Sequence, residues 1–491
     1  MATRPKTLTV ANLIAGLAGN SPPPGSVPVC EITSAVIDSR QATPGSLFVA
    51  LRGERRDGHD FVPDATTRGA AAVIAERVPD DAVQTFTIGN LQVCKLANCF
   101  CLIVPNSLTG LQQAAAYWRR QHDVTVIGIT GSVGKSTSKE LIATVLSRHY
   151  RTLKSEGSYN NEIGLPLTLL HLTSAHERVI LEMGMYTLGE IAALAEIALP
   201  RIGIVTNVGP THLERLGTIE RIAQAKTELP QALPPAAEGG IAILNADDER
   251  VRAMAGQTQA RVFTYGLDPQ ADLWADEIEG EGLKGIRFRL HHGGAMVHAR
   301  VPLLGRHSVH TALRAAAVGV VDGLSWGEIV AGLQDESAQL RLLAVAGPAG
   351  SVLLDDTYNA SPESCIAALN LLAELDGRKV AVLGDMYELG RFEEEGHQIV
   401  GRRARDVGDV LVTVGELGRI IGEEALAAGM TADAVHLVET KADAITLLRA
   451  ILRDGDKILV KGSRGMAMEE IVSALVQTPS ITYSQKQGDL P

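Results

Sequence analysis

Residues 126–140, VIGITGSVGKSTSKE, carry an apolar run into a turn bounded by Gly131 and Gly134 and then into Lys135, Ser136 and Thr137. Glycine at both corners lets the backbone curl tightly and expose successive amide N–H groups, and a helix starting near Lys135 adds its positive end. The result is an anion site fit for a polyphosphate, with Gly131, Ser132, Val133, Gly134, Lys135, Ser136 and Thr137 as its cradle. The Lys135 ammonium is placed to neutralise β- and γ-phosphate oxygens, and the Ser136 hydroxyl to join the shell of a bridging magnesium ion. The strict GxxxxGK[ST] spacing is not met, because Ile129 stands where its first glycine would be; the motif is the shorter TGxxGKST. The alternative is a strand-to-helix turn that needs glycine for geometry and happens to carry a lysine.

The elements that would hold this turn lie on either side of it. From about residue 107 the apolar runs VTVIGIT, RVILEMG, RIGIVTNVG and GIAILNAD alternate with helical stretches, which predicts a largely parallel sheet covered on both faces. Ligands bind such sheets at the carboxyl ends of the strands. The polar residues there are Glu182, Thr206 and Asn207 followed by His212, and Asn245 with Asp247. Glu182 and His212 can each ligate a metal ion beside the phosphate cradle, and two such ions would clamp a nucleotide and an acceptor oxygen together. Read blandly, the carboxylate is a helix cap and the histidine structural. Lys226 sits in TIERIAQAKTELP, a helical pattern starting at a Thr218 cap, and spacing alone makes it a solvated helix lysine.

Before residue 107, short β-type runs (SAVIDSR, SLFVAL, AAVIAE, CLIVP) mix with turn clusters, as in a small α/β module. Asp38-Ser39-Arg40 ends one strand, and Asp57-Gly58-His59 forms a turn after Arg52, Gly53 and Arg55. Ser39 and Arg40 can hold a diphosphate or a uracil edge, although taken alone they read more readily as a solvated turn. From about residue 338, SVLLDDTYNA, KVAVLGDM, DVLVTVG and KILVKGSRG alternate with helices as a second doubly wound unit. The expected fold is therefore α/β in three domains: a small N-terminal module (1–106), a central ATPase-like parallel-sheet domain (107–337) and a C-terminal Rossmann-like domain (338–491).

Composition bounds the function. The 57 acidic and 45 basic residues leave a net charge of −12, which argues against a general nucleic-acid or anionic-membrane surface, so an anionic substrate must be met by local amides and a few placed cations. No apolar run reaches the roughly 18 residues of a membrane span, and Asn12 interrupts the only apolar patch near the start, so neither signal peptide nor span is expected. Five cysteines without a regular framework fit a reducing cytoplasm; Cys94, Cys99 and Cys101 lack a nearby fourth ligand and read as structural.

In order along the chain stand DSR, PGSLFVALRG, DGHDF, TGSVGKST, NNEIGLPLTLL, LEMG, TNVGPTHLE, IAQAKTE, LNADD, GRH, DDTYNASPES and LGDMYELG. Together they resemble the three-domain Mur ligases of peptidoglycan synthesis, and YNASPES with LGDMYELG points to the branch that adds D-alanyl-D-alanine to UDP-N-acetylmuramoyl-tripeptide. The resemblance implies ATP and Mg2+, with Lys135 and Ser136 on the phosphates and first magnesium, and Glu182 and His212 on magnesium. It also implies that Lys226 is carried as a carbamate whose oxygens help hold a metal, reversing the reading from spacing. Asn245 and Asp247 then lie by the adenine. Arg341, Asp356 and Tyr358 serve the γ-phosphate, ribose and base. Ser39, Arg40, Asp57, Gly58 and His59 hold the uridine diphosphate end, and Asn160 and Asn161 line the peptide channel. Val133, Ser308 and Thr311 stand where the family usually carries asparagine. A cytoplasmic monomer is expected; a sibling ligase adding another amino acid, or a nucleotide-binding subunit without catalysis, are the competing readings.

Overall fold

The computed structural model describes residues 7–476 apart from 24–26, 28–29, 54, 158, 212 and 336–341. The architecture is α/β and built on three sheets. The first runs in the order Ala35–Val36, Leu47–Val49, Ala72–Ala75, Phe100–Ile103, Leu91–Lys95, Gln84–Ile88. Its first four strands are parallel, and these are the short apolar runs of the sequence; the last two pair antiparallel. The Gln84–Ile88 strand is mostly exposed and carries little apolar signal, so its residues do not announce a strand. Cys94, Cys99 and Cys101 pack with Phe48 and Val73 in the core of this module. Burial pushes the Cys99 thiol up to about 12 and Cys101 higher still, which disfavours the thiolate at both, and all three side chains are buried in this apolar core.

The Ser107–Arg120 helix leads from this module into the central sheet. Its amino end is capped by Asn106, whose Oδ1 accepts from the Thr109 amide at 2.9 Å. Its carboxyl end is anchored by two buried side chains. Trp118 donates from Nε1 to the Leu172 carbonyl at 3.0 Å, and Arg119 donates to the carbonyls of Ala198 (2.9 Å), His122 (3.0 Å) and Val124 (3.1 Å). A guanidinium shared among carbonyls satisfies backbone groups that no ladder reaches, at the start of the next strand.

The central sheet has nine strands in the order Ala295–Val301, Ile286–His292, Leu273–Gly280, Arg261–Gly266, Ile241–Asn245, Ile202–Val205, Thr125–Thr130, Arg178–Glu182, Thr152–Lys154. From Leu273–Gly280 to Thr152–Lys154 every pairing is parallel. Register places Thr130 opposite Val205, Val205 opposite Leu244, and Ile129 opposite Glu182. The carboxyl ends of four neighbouring strands thus fall on one edge, which is what brings Gly131, Glu182, Thr206 and Asn245 together. The third sheet runs Leu343–Ala346, Val352–Asp356, Lys457–Lys461, Lys379–Gly384, Val410–Val414, Val435–Val438, parallel except for its first pair.

The chain divides into two compact units. One comprises 1–279, 287–302 and 308–339 and holds the first two sheets; the other comprises 280–286, 303–307 and 340–491 and holds the third. Among the described residues no helix is long and apolar enough to cross a membrane.

Trp118 is fully buried. Trp118→Ala removes its ring from the joint between module and central sheet and leaves the Leu172 carbonyl without that donor. It is expected to cost about 3–5 kcal/mol of unfolding free energy, read as a lower midpoint in urea denaturation.

Candidate functional site

The turn after Thr125–Thr130 is built against the end of the neighbouring strand. Gly131 has φ +144°, and a Cβ on it would lie 1.8 Å from Thr206 Oγ1, so only glycine fits. Gly134, at φ +86°, is the residue before the Lys135–Leu146 helix. A second loop clamps the turn from behind. Asn207 Oδ1 accepts from the amides of Ser132 (3.1 Å) and Val133 (2.9 Å), and Thr206 Oγ1 donates to the Val133 carbonyl at 2.8 Å. Two of the amides read from the sequence as phosphate donors, those of Ser132 and Val133, are therefore bonded inside the protein. The anion-binding surface narrows to the first turn of the helix, Lys135, Ser136 and Thr137, whose amides have no acceptor within the helix. The Lys135 ammonium lies over the turn, donating to the Gly131 carbonyl at 2.8 Å.

Beside the turn sits a buried carboxylate. Glu182, 1% exposed, accepts from Ser136 Oγ at 2.5 Å and from Asn160 Nδ2 at 2.9 Å. A hydroxyl in the first turn of the helix and a carboxylate at the end of the adjacent strand are hard oxygen donors suited to magnesium. Asn161 Oδ1 accepts from the Gly164 amide at 2.9 Å, which fixes the start of the Gly164–Leu170 helix. Upstream, the buried Lys139 donates to the Gly157 carbonyl at 2.6 Å and ties this loop to the phosphate-loop helix.

Lys226 lies on the Ile219–Gln231 helix, beginning at the Thr218 cap as expected, but it is 2% exposed. Ile222, Ala225 and Leu229 share its buried face, so this lysine is core-facing and not solvated. Among the described residues it makes no hydrogen bond or ion pair. Burial, and then the charge of Lys135, hold its ammonium well below the usual lysine range. Lys226, Lys135, Gly131, Asn160 and Asn161 line one cavity of about 520 Å³.

Asn245 and Asp247 stand at the next strand end. Asn245 donates to the Thr206 carbonyl at 3.0 Å and accepts from the Asp247 amide at 3.1 Å. Asp247 accepts from the Leu267 amide at 2.9 Å and meets His310 Nε2 at 2.7 Å. Burial opposes its ionisation, yet the bonds from His310 and Leu267 prevail and keep it below the usual carboxylate range. In the N-terminal module, Ser39 is buried, and the exposed Arg40 is paired with Asp38 at 2.6 Å. That pairing brings Asp38 down to about 2. His59 is spent inside the module: Nδ1 meets Asp57 Oδ1 at 2.5 Å, and Nε2 accepts from the Glu76 amide at 2.8 Å. Its ring braces the turn and has no nitrogen left to offer, and Gly58 is required because a Cβ there would lie 2.5 Å from the Leu51 carbonyl. Glu76 in turn accepts from the Ser107 amide at 3.0 Å, joining the turn to the connecting helix.

Asp356 and Tyr358 belong to the second compact unit. Lys461 donates to Asp356 Oδ2 at 2.6 Å, and the Arg464 guanidinium lies 5.5 Å from the Tyr358 ring centre. His212 and Arg341 lie outside the described residues. Among the described residues no three His, Cys, Asp or Glu side chains gather as a metal cluster. The clamp of Asn207 and the strap of Lys139 were not read from sequence. A single lysine two residues before the apolar Leu141-Ile142 pair was the available signal for Lys139; Asn207 had none beyond its place at a strand end.

Comparison with known proteins matches this arrangement along the whole chain. Three family descriptions fit: Mur ligase family, catalytic domain (residues 31–95), Mur ligase middle domain (129–319) and Mur ligase, glutamate ligase domain (341–464). The UDP-N-acetylmuramoyl-tripeptide–D-alanyl-D-alanine ligase of Mycobacterium tuberculosis is 37% identical over 95% of this chain and 96% of its own. The Bacillus subtilis enzyme of that name is 36% identical over 91% and 94%. Among solved structures, MurF from Acinetobacter baumannii superposes with a TM-score of 0.81 at 31% identity, covering 96% of this chain and 98% of its own. MurF ligase from Thermotoga maritima, in complex with ADP, gives 0.74 at 27% identity over 90% and 96%. With a phosphate-loop turn beside a buried strand-end carboxylate, a buried lysine on the cavity that the turn lines, and relatives matched over most of its length, this chain belongs to the Mur ligase family.

Proposed function

We propose that this chain joins D-alanyl-D-alanine to UDP-N-acetylmuramoyl-tripeptide by ATP-driven amide formation, in peptidoglycan precursor synthesis. The observation that carries the reading is that Lys135 and the buried Lys226 line one cavity, with the Ser136–Glu182 bond beside the same phosphate-loop turn. The ADP held by the Thermotoga maritima relative supports the nucleotide. The tripeptide carboxylate attacks the γ-phosphorus, giving an acyl phosphate and ADP; the dipeptide amine then attacks the acyl carbon and phosphate leaves. Such a reaction needs positioning and neutralisation of crowded negative charge more than covalent help from the protein.

Each side chain has a part in this. Lys135 and the amides of the helix's first turn hold the phosphates. Ser136 and Glu182, with His212 and Lys226, would hold magnesium, which supplies further neutralisation of the phosphate oxygens. Lys226 suits a carbamate: burial favours the neutral amine, which is the form that adds to carbon dioxide, and the product replaces an unpaired buried amine with an anion beside Lys135. Asn160 and Asn161 line the peptide channel, and Asn245 and Asp247 the adenine side. Ser39, Arg40 and the Asp57 turn take the uridine diphosphate end, in the module assigned to 1–106. The central domain, 107–337, binds ATP, and Arg341, Asp356 and Tyr358 of the C-terminal domain, 338–491, are read as nucleotide contacts from the family resemblance alone. The protein acts as a cytoplasmic monomer.

Phosphate release from ATP is expected only when both the nucleotide tripeptide and D-alanyl-D-alanine are present, with a product heavier by the dipeptide; release with another amine donor would move the chain to a sibling activity. Lys135→Ala should abolish that release, and a variant retaining most of its turnover would remove the loop from the mechanism. Lys226→Ala should be nearly inactive and partly restored by a short carboxylic acid that takes the carbamate's place. The lysine also predicts a pH dependence of stability. In bicarbonate-free buffer its folded pKa lies below the unfolded value near 10.5, so the unfolded chain binds more protons at neutral pH. Its contribution to stability therefore rises with pH from the depressed pKa up to that value. Lys226→Met should be the more stable protein at neutral pH in urea denaturation, with the difference closing at alkaline pH.

A further inference from the structure

Arg314 lies on the Val309–Val321 helix and is 5% exposed. Its three hydrogen bonds all go to neutral hydroxyls: Nε to Ser138 Oγ at 2.7 Å, Nη2 to Thr311 Oγ1 at 2.8 Å and Nη1 to the Tyr265 hydroxyl at 3.4 Å. Among the described residues no carboxylate pairs with it. A guanidinium buried without an anion is costly, and native proteins pair such charges. Three of its five N–H groups are used by these bonds, which leaves donors over. Their direction is set by what lies alongside. Nη2 comes within 3.0 Å of the point a Cβ would occupy on Gly134, the glycine that opens the phosphate-loop helix. Ser138, which holds Nε, is one turn further along that same helix. The charge therefore stands against the helix turn whose amides point at an anion.

We propose that Arg314 is a second fixed cation of the nucleotide site, acting with Lys135 on the phosphates of a nucleoside di- or triphosphate. The inference rests on the nucleotide reading given above. The missing counter-ion of Arg314 is the ligand itself, and the three hydroxyls and the absence of a side chain at Gly134 hold its planar fork in place before the ligand arrives. Lys135 reaches the turn from its own helix; Arg314 reaches it from a neighbouring one, so two independently anchored charges face the same anion. Sequence carries a trace of this: Arg314 is the lone charge in the run TALRAAAVGVV, where an apolar helix face is otherwise unbroken.

The test is calorimetric binding of ADP, AMP and adenosine, with magnesium, to the full chain and to Arg314→Met and Arg314→Lys, repeated over a range of KCl concentrations. Arg314→Met should weaken ADP about tenfold or more while changing adenosine less than about twofold, and should flatten the salt dependence of ADP binding; Arg314→Lys should recover part of the loss. A purely structural arginine would lower thermal stability and weaken ADP and adenosine alike, and that result, or unchanged ADP binding, overturns the proposal. Should Arg314→Met not fold, Arg314→Gln compared with Arg314→Lys decides the matter: lysine must keep more of the preference for ADP over adenosine, and equal preference refutes the inference. Wild-type protein that binds no ADP would instead remove the nucleotide reading on which the proposal stands.

Discussion

The arrangement depends on a side-chain amide that closes the back of a turn. Asn207 accepts from two successive amides of the phosphate loop, and Thr206 contacts the place where Gly131 lacks a Cβ. Without that clamp the glycines that let the loop form would also let it wander, because glycine has the most conformational freedom to lose on ordering. The clamp is in turn fixed by the sheet, since Thr206 follows a fully buried strand whose register with Thr125–Thr130 is set by parallel pairing. A loop that must meet a flexible polyphosphate is thereby pre-formed, and binding does not have to order it.

The second organising feature is charge. The chain as a whole carries −12, yet around the loop stand the half-buried Lys135 and the buried Lys226 on one side, the buried Arg314 on another, and the buried carboxylate Glu182. Glu182 accepts from Ser136 and Asn160. A cluster of like charges excluded from water is unfavourable in the protein alone, and each member answers differently. Burial weakens the hold of Lys226 on its proton; an arginine does not give its proton up, and Arg314 is met by hydroxyls. The arrangement stores an unfavourable term in the protein that an anionic ligand relieves, a common trade of stability for function.

The N-terminal module shows how a binding turn is made stiff by residues that do not face a ligand. Asp57, His59 and Glu76 form a chain of hydrogen bonds ending at the first amide of the Ser107–Arg120 helix. The imidazole accepts from one backbone amide and meets one carboxylate, which sets its tautomer with the proton on Nδ1. Motion at that turn is thereby coupled to the helix that carries the chain into the central sheet, and the far end of the same helix is anchored by Trp118 and Arg119.

What sequence determined by itself was the local chemistry and the fold class. Strand, glycine turn and Lys-Ser-Thr are contiguous, so their geometry follows from backbone rules acting over a few residues. The alternation of apolar runs with helices implied parallel sheets, because parallel strands need a crossover between them. Tertiary structure decided the rest. Spacing made Lys226 a surface lysine, although Ile222 four residues before and Leu229 three after mark its face as apolar; only packing shows that the lysine itself is buried there. Asn207, Lys139 and Arg314 act on segments between about 18 and 180 positions away, and no local pattern encodes such a partner. The exposed Gln84–Ile88 edge strand and the amides of Ser132 and Val133 make the same point: whether a backbone group is paired depends on what the folded chain brings against it.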